Sequence, residues 1–129
     1  MANPNIVAVA TILGGNAGWN LSTGLTTELL NVTAEYVLKI NRIVCTNVHA
    51  TDAANLDLYV GGMGSGTTGI TTTGADATVY LAKVISVPAN ASLVVSDTPI
   101  YLMEGDTLNG GSSAASSLDL FISYETLID

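Results

Sequence analysis

Two side chains in this sequence could supply nucleophilic chemistry, Cys45 and His49, its single cysteine and single histidine. Both fall in one strand-like stretch. At four residues apart they would sit on one side of an extended backbone, roughly 13 Å from each other at ~3.3 Å per residue. A cysteine–histidine pair needs a shared hydrogen bond, which that spacing forbids. Cys45 follows Ile43 and Val44 and reads as a small buried hydrophobe. His49 opens the polar stretch His49-Ala50-Thr51-Asp52 and reads as a solvated loop residue.

Metal chemistry has little to work with. Zinc wants three or four Cys, His or carboxylate ligands, and one Cys with one His does not provide them. Calcium needs only oxygens, and Asp52, Asp57, Asp76, Asp97, Glu104 and Asp106 lie in or near expected loops. None of them forms the spaced acidic loop of an EF-hand. Glu104 and Asp106 flank Gly105, an arrangement that exposes two charges at a turn. It does not set a carboxylate pair across a sugar cleft. The pairs Gly14-Gly15, Gly61-Gly62 and Gly110-Gly111 lack the spacing of a phosphate loop and read as turns and loop tips. Three Asn-X-Ser/Thr matches (Asn20, Asn31, Asn90) are expected by chance in a chain this rich in Asn, Ser and Thr. The expectation is a non-enzymatic chain with no cofactor and no metal.

The elements behind these residues all read as β-structure. Residues 36–48 alternate, with Tyr36, Leu38, Ile40, Arg42, Val44, Thr46 and Val48 on one, mostly apolar, face. Leu56, Leu58 and Val60 alternate with Asn55, Asp57 and Tyr59. Leu118, Leu120, Ile122 and Tyr124 alternate with Asp119, Phe121, Ser123 and Glu125. Further strands are expected over 77–87, stopped by Pro88, over 92–96, and over 100–103. A turn is expected at Asp97-Thr98-Pro99 and a tighter one at Glu104-Gly105-Asp106. Residues 5–13 and 24–32 are weaker candidates. Residues 13–24 and 61–76, both glycine-rich, fit no element, and the second reads as a long loop. About eight short strands with frequent turns predict an all-β, antiparallel β-sandwich of jelly-roll type in one domain.

Composition narrows the role. The chain has 129 residues, one domain's worth at roughly 100–200 residues per domain. Its net charge is -8 and only 11% of residues are charged, against ~25% in an average protein. With Lys39, Arg42 and Lys83 as its only cations, it lacks the charge to hold nucleic acid or an anionic membrane. No apolar run approaches the ~20 residues of a membrane helix. The opening Met1-Ala2-Asn3-Pro4-Asn5 lacks the basic and apolar regions of a signal peptide. A polar but weakly charged surface suits a chain that packs against other subunits.

Several segments resemble small virion structural proteins of tailed phages. They are the opening Met1-Ala2-Asn3-Pro4-Asn5-Ile6-Val7 and the stretch Tyr36-Val37-Leu38-Lys39-Ile40-Asn41-Arg42-Ile43 with Thr46-Asn47-Val48. The C-terminal half adds Tyr80-Leu81-Ala82-Lys83, then Ile85-Ser86-Val87-Pro88-Ala89-Asn90-Ala91-Ser92-Leu93. It continues with Pro99-Ile100-Tyr101-Leu102-Met103-Glu104-Gly105-Asp106-Thr107-Leu108 and closes with Leu118-Asp119-Leu120-Phe121-Ile122-Ser123-Tyr124-Glu125. About two-thirds of the chain takes part. The resemblance implies a location in the virion. It further implies a head decoration or cement protein, trimeric, bound to the major capsid protein or other virion proteins. An apolar arm within residues 1–13 could add a strand to a neighbour's sheet edge. The expected partner contacts are Ile6, Val7, Val9 and Ile12 in that arm, Trp19 in the glycine-rich segment, and Met63, Thr67 and Ile70 in the long loop. The alternative is a tail, neck or fibre component that binds a receptor or glycan through an aromatic cleft near Trp19, Tyr59 or Tyr101.

Overall fold

A computed structural model of the chain describes residues 11–63 and 76–128. It is all-β, with nine strands in two antiparallel sheets. They are β1 (Thr11–Asn20), β2 (Glu28–Asn31), β3 (Tyr36–Asn47), β4 (Ala54–Gly61), β5 (Val79–Val87), β6 (Ser92–Ser96), β7 (Ile100–Leu102), β8 (Thr107–Ser112) and β9 (Leu118–Ile128). One sheet runs β1-β9-β3-β6, with β7 also paired to β3; the other runs β2-β8-β4-β5.

The pairing is nested. β1 pairs with β9, β2 with β8, β3 with β6 and β7, and β4 with β5. That is one long hairpin. Rolling it up brings β3 against β9 and β4 against β8 and closes the two sheets. This is jelly-roll topology. β6 and β7 occupy a single position, since both run antiparallel to β3, β6 along Ile43–Thr46 and β7 along Leu38–Ile40. The expected turn at Asp97-Thr98-Pro99 is therefore a break in one edge strand and does not reverse the chain.

Between the sheets lie Leu38, Ile40, Ile43 and Cys45 of β3, Leu56, Leu58 and Val60 of β4, and Leu118, Leu120 and Ile122 of β9. The alternation expected for β4 and β9 holds. For β3 it holds only halfway. Ile40 faces Tyr124 and Arg42 faces Ser123, so Asn41 is an extra residue in the ladder. A bulge of this kind inverts the facing of everything after it. Arg42, Val44, Thr46 and Val48 consequently leave the core face assigned to them, and Ile43, Cys45 and Asn47 take it. A single face would have buried the Arg42 charge, and the bulge releases it to solvent.

Other expectations also change. The unassigned segment 13–24 is largely β1, an edge strand in unbroken register with β9. Of the candidate 24–32 only Glu28–Asn31 is a strand. Gly14 and Gly15 lie within β1, and Gly110 and Gly111 lie buried within β8, so neither pair is a turn. Gly105 does make its turn, at φ 85°. Its acidic neighbours, however, point inward. Asp106 is buried and accepts a hydrogen bond from the Met103 N–H at 2.9 Å, and Glu104 accepts one from the Glu35 N–H at 2.8 Å. Burial raises the Asp106 carboxyl pKa, and the Met103 bond opposes part of that rise.

The ladder between β4 and β5 is broken twice. At one break Val84 adopts φ 51°, a left-handed conformation that β-branched residues rarely take. Its N–H donates to the buried carboxylate of Asp57 at 2.7 Å, which holds the strained residue in place.

Two measurements follow from the core. Leu120 is 1% exposed. Leu120→Ala is expected to lower the unfolding free energy by about 2–5 kcal/mol in urea titration. A loss near zero would put this side chain outside the core. Cys45 lies between Leu120 and Leu93 with no exposed surface. Burial, aided by the charge of Asp119, pushes its thiol pKa up from 9.0 to about 11. The unfolded chain then gives up this proton before the folded one does. Stability from this group is full below about pH 9 and falls as pH rises toward 11, by up to ~3 kcal/mol at 1.36 kcal/mol per pKa unit. Cys45→Ala should flatten that alkaline slope, and the native thiol should resist iodoacetamide until the chain unfolds.

Candidate functional site

Two surfaces stand out, one on each side of the five-stranded sheet. On its inner side, where the sandwich opens between β1 and β2, is a cleft of about 370 Å³. β1 contributes Ala17 and Trp19, β3 contributes Tyr36 and Leu38, and β9 contributes Tyr124 and Thr126. Leu30 and Asn31 of β2, with Val32 and Thr33 just after it, close the far side. The alternation of β1 explains the assembly. Its odd-numbered residues face inward, Trp19 opposite Leu120, Ala17 opposite Ile122 and Gly15 opposite Tyr124. A Cβ at Gly15 would lie 2.9 Å from the Tyr124 ring, so the glycine is what lets that ring lie against β1. Trp19, Tyr36 and Tyr124 are half-buried, while Asn31 and Thr33 at the rim are exposed.

On the outer side, the even-numbered residues of β1 and their partners form rows across the sheet. Gly18, Phe121, Val44 and Val94 make one apolar row through four strands. Phe121 is 47% and Val94 45% exposed. The neighbouring row is polar, with Asn20 hydrogen-bonded to Asp119 at 2.8 Å and Thr46 to Ser92 at 2.9 Å. On the opposite side of the apolar row lie Asn16, Ser123 and Arg42. Gly18 has no side chain to stand beside Phe121, and a Cβ there would lie 4.0 Å from the ring.

The residues expected to contact partners do not converge. Ile12 stands exposed on the outer face of β1, opposite Leu127. Trp19 is on the inner face, in the cleft. Met63 packs partly buried against the core beyond β4, and its N–H donates to the Ala77 carbonyl at 3.1 Å. Ile6, Val7, Val9, Thr67 and Ile70 lie outside the described residues. Of the expected arm, residues 11–13 pair with β9 of the same chain. Tyr59 and Tyr101, named with Trp19 as aromatic candidates, lie elsewhere. Tyr59 packs against Tyr80 at 5.1 Å between ring centroids, and Tyr101 lies on β7. Tyr36 and Tyr124 were not singled out from the sequence, and their half-buried strand positions carry no local mark of a cleft.

The loop after β3 is built around two polar side chains, Asn47 and His49. His49 Nδ1 accepts from the Thr51 N–H at 3.2 Å and the Asp52 N–H at 3.0 Å. That is a structural role in a loop, four residues from a buried thiol. Among the described residues no group of three or more His, Cys, Asp or Glu side chains could hold a metal ion.

Fold and surfaces together define a β-sandwich of jelly-roll topology with an aromatic cleft and an apolar row on opposite sides of its five-stranded sheet. No protein-family model and no curated protein sequence matches the chain. Among solved structures it is similar to the infectious bursal disease virus VP2 subviral particle, at 13% identity and a TM-score of 0.27. That alignment covers 92% of this chain and 41% of the other.

Proposed function

We propose that this chain is a non-enzymatic structural protein of a tailed-phage virion, a decoration subunit that docks on the head lattice. The observation that carries this reading is the outer row of Gly18, Phe121, Val44 and Val94. A contiguous apolar strip with a half-exposed phenylalanine is the kind of surface that a docking subunit buries against its partner. The sequence resemblance to small phage virion proteins and the scarcity of surface charge support the same reading. In this role the major capsid protein covers the row, and three copies meet at a lattice junction.

The test is to image intact particles by cryo-electron microscopy and trace this chain in the density. Copies on the head with the five-stranded sheet turned toward the capsid are the expected result. Copies confined to the tail or neck, or none on the particle, would overturn the assignment.

A further inference from the structure

We propose that the cleft between β1 and β2 is a binding site for a neutral saccharide. The inference is independent of the docking role, because the cleft opens on the inner side of the sheet whose outer side carries the apolar row. Its first support is the concentration of aromatic side chains. The chain has one Trp, five Tyr and one Phe, and the Trp and two of the Tyr meet in this one cleft. Flat rings of this kind accept the C–H face of a pyranose, and their N–H and O–H groups serve its hydroxyls.

The second support is charge. The chain carries -8 overall, yet no charged side chain lines the cleft among the described residues. An anionic ligand would meet a repelling field with no cation to hold it, and a cationic one would find no carboxylate. A neutral polar ligand fits both facts. The third support is the polar set, the Asn31 amide and the Thr33 and Thr126 hydroxyls, beside an apolar wall of Ala17, Leu30 and Leu38. A purely apolar ligand would cover these polar groups without replacing their water, which costs free energy for each group left unpaired. A sugar ring presents hydroxyls on its edge and C–H groups on its faces, matching both kinds of wall. The volume, about 370 Å³, is at the small end of the ~300–1,000 Å³ typical of ligand clefts and suits a short saccharide.

Trp19 is the sole tryptophan, so intrinsic fluorescence reads the cleft directly. The full chain would be titrated with glucose, galactose, mannose, N-acetylglucosamine, maltose and lactose up to about 100 mM, enough to saturate a site of millimolar Kd. At least one sugar is expected to give a saturable change in Trp19 emission. Tyr36→Ala should weaken that binding at least tenfold, and Phe121→Ser, on the outer face, should leave it unchanged. Thr126→Val keeps the side-chain shape and gives up a hydroxyl whose contact with the Leu13 carbonyl is long, 3.5 Å. It should weaken binding about fivefold, the worth of one hydrogen bond, and it decides the question if Tyr36→Ala fails to fold. No saturable change with any of the six sugars would overturn the inference. So would binding that survives the cleft substitutions unaltered.

Discussion

Gly110→Ala is expected to abolish or nearly abolish the fold. Gly110 sits in β8, the central strand between β2 and β4, opposite Leu58. A Cβ at this position would overlap the carbonyl oxygen of Asp57 and stand 3.0 Å from the Leu58 Cα. Both obstacles are backbone atoms of the neighbouring strand, so no rotamer change relieves the clash. The strands must separate, and the β4–β8 ladder goes with them. The loss should be on the order of 4 kcal/mol or more, at the upper limit for a single substitution. That is a large part of the 5–15 kcal/mol that holds a domain together. Gly14→Ala is the control. Gly14 also lies within a strand, but an added Cβ there meets nothing within 4 Å. Its unfolding free energy in urea titration should stay within ~0.5 kcal/mol of wild type. Equal effects at the two positions would show that strand glycines matter here only through chain entropy.

Asn47→Asp is the second large effect. Asn47 is 1% exposed. Its Nδ2 donates to the Val87 carbonyl at 2.8 Å and the Asp52 carbonyl at 3.0 Å, and its Oδ1 accepts from the His49 N–H at 2.8 Å. One side chain thus ties the β3–β4 connection to the end of β5. Aspartate would set an anionic oxygen against two carbonyl oxygens in a buried site. A buried charge left unpaired costs about 3–5 kcal/mol. The new carboxyl would have its folded pKa raised above the unfolded ~3.9. The folded state would therefore bind this proton more tightly, and stability would recover as pH falls through the folded pKa. Thermal unfolding at pH 4 and pH 7, each relative to wild type, should show a smaller deficit at pH 4. Asn47→Ala, which loses the hydrogen bonds and adds no charge, should show a deficit independent of pH.

These residues also mark where the sequence can and cannot be read. Leu56, Leu58 and Val60, and Leu118, Leu120 and Ile122, alternate cleanly because each strand has one face on the core, and the structure keeps both assignments. β8 carries no such signal. Thr107-Leu108-Asn109-Gly110-Gly111-Ser112 looks like a turn, because close approach of the neighbouring backbone excludes the side chains that would announce a strand. β1 is obscured by Gly14, Gly15 and Gly18, of which Gly15 alone is pressed by a neighbour, the Tyr124 ring. The β3 bulge was foreshadowed by Arg42 on an otherwise apolar face, yet alternation alone does not say at which residue the phase changes. The cleft needed the fold itself. Trp19, Tyr36 and Tyr124 come from three strands, and only the nested pairing of a rolled hairpin brings them together.

The strand edges have a consequence for assembly. β6 and β7 are split at Asp97-Thr98-Pro99, β2 is four residues long with a shifted register, and β5 is broken twice, once at the strained Val84. Among the described strands, β1 alone is an edge with an even ladder along its full length. In the vocabulary of polymer chemistry the described strands are monofunctional. Growth of a ribbon requires two reactive ends, and strand addition here has one. A copy that joins another through β1 uses up the reactive end of both, so chain growth terminates at the pair.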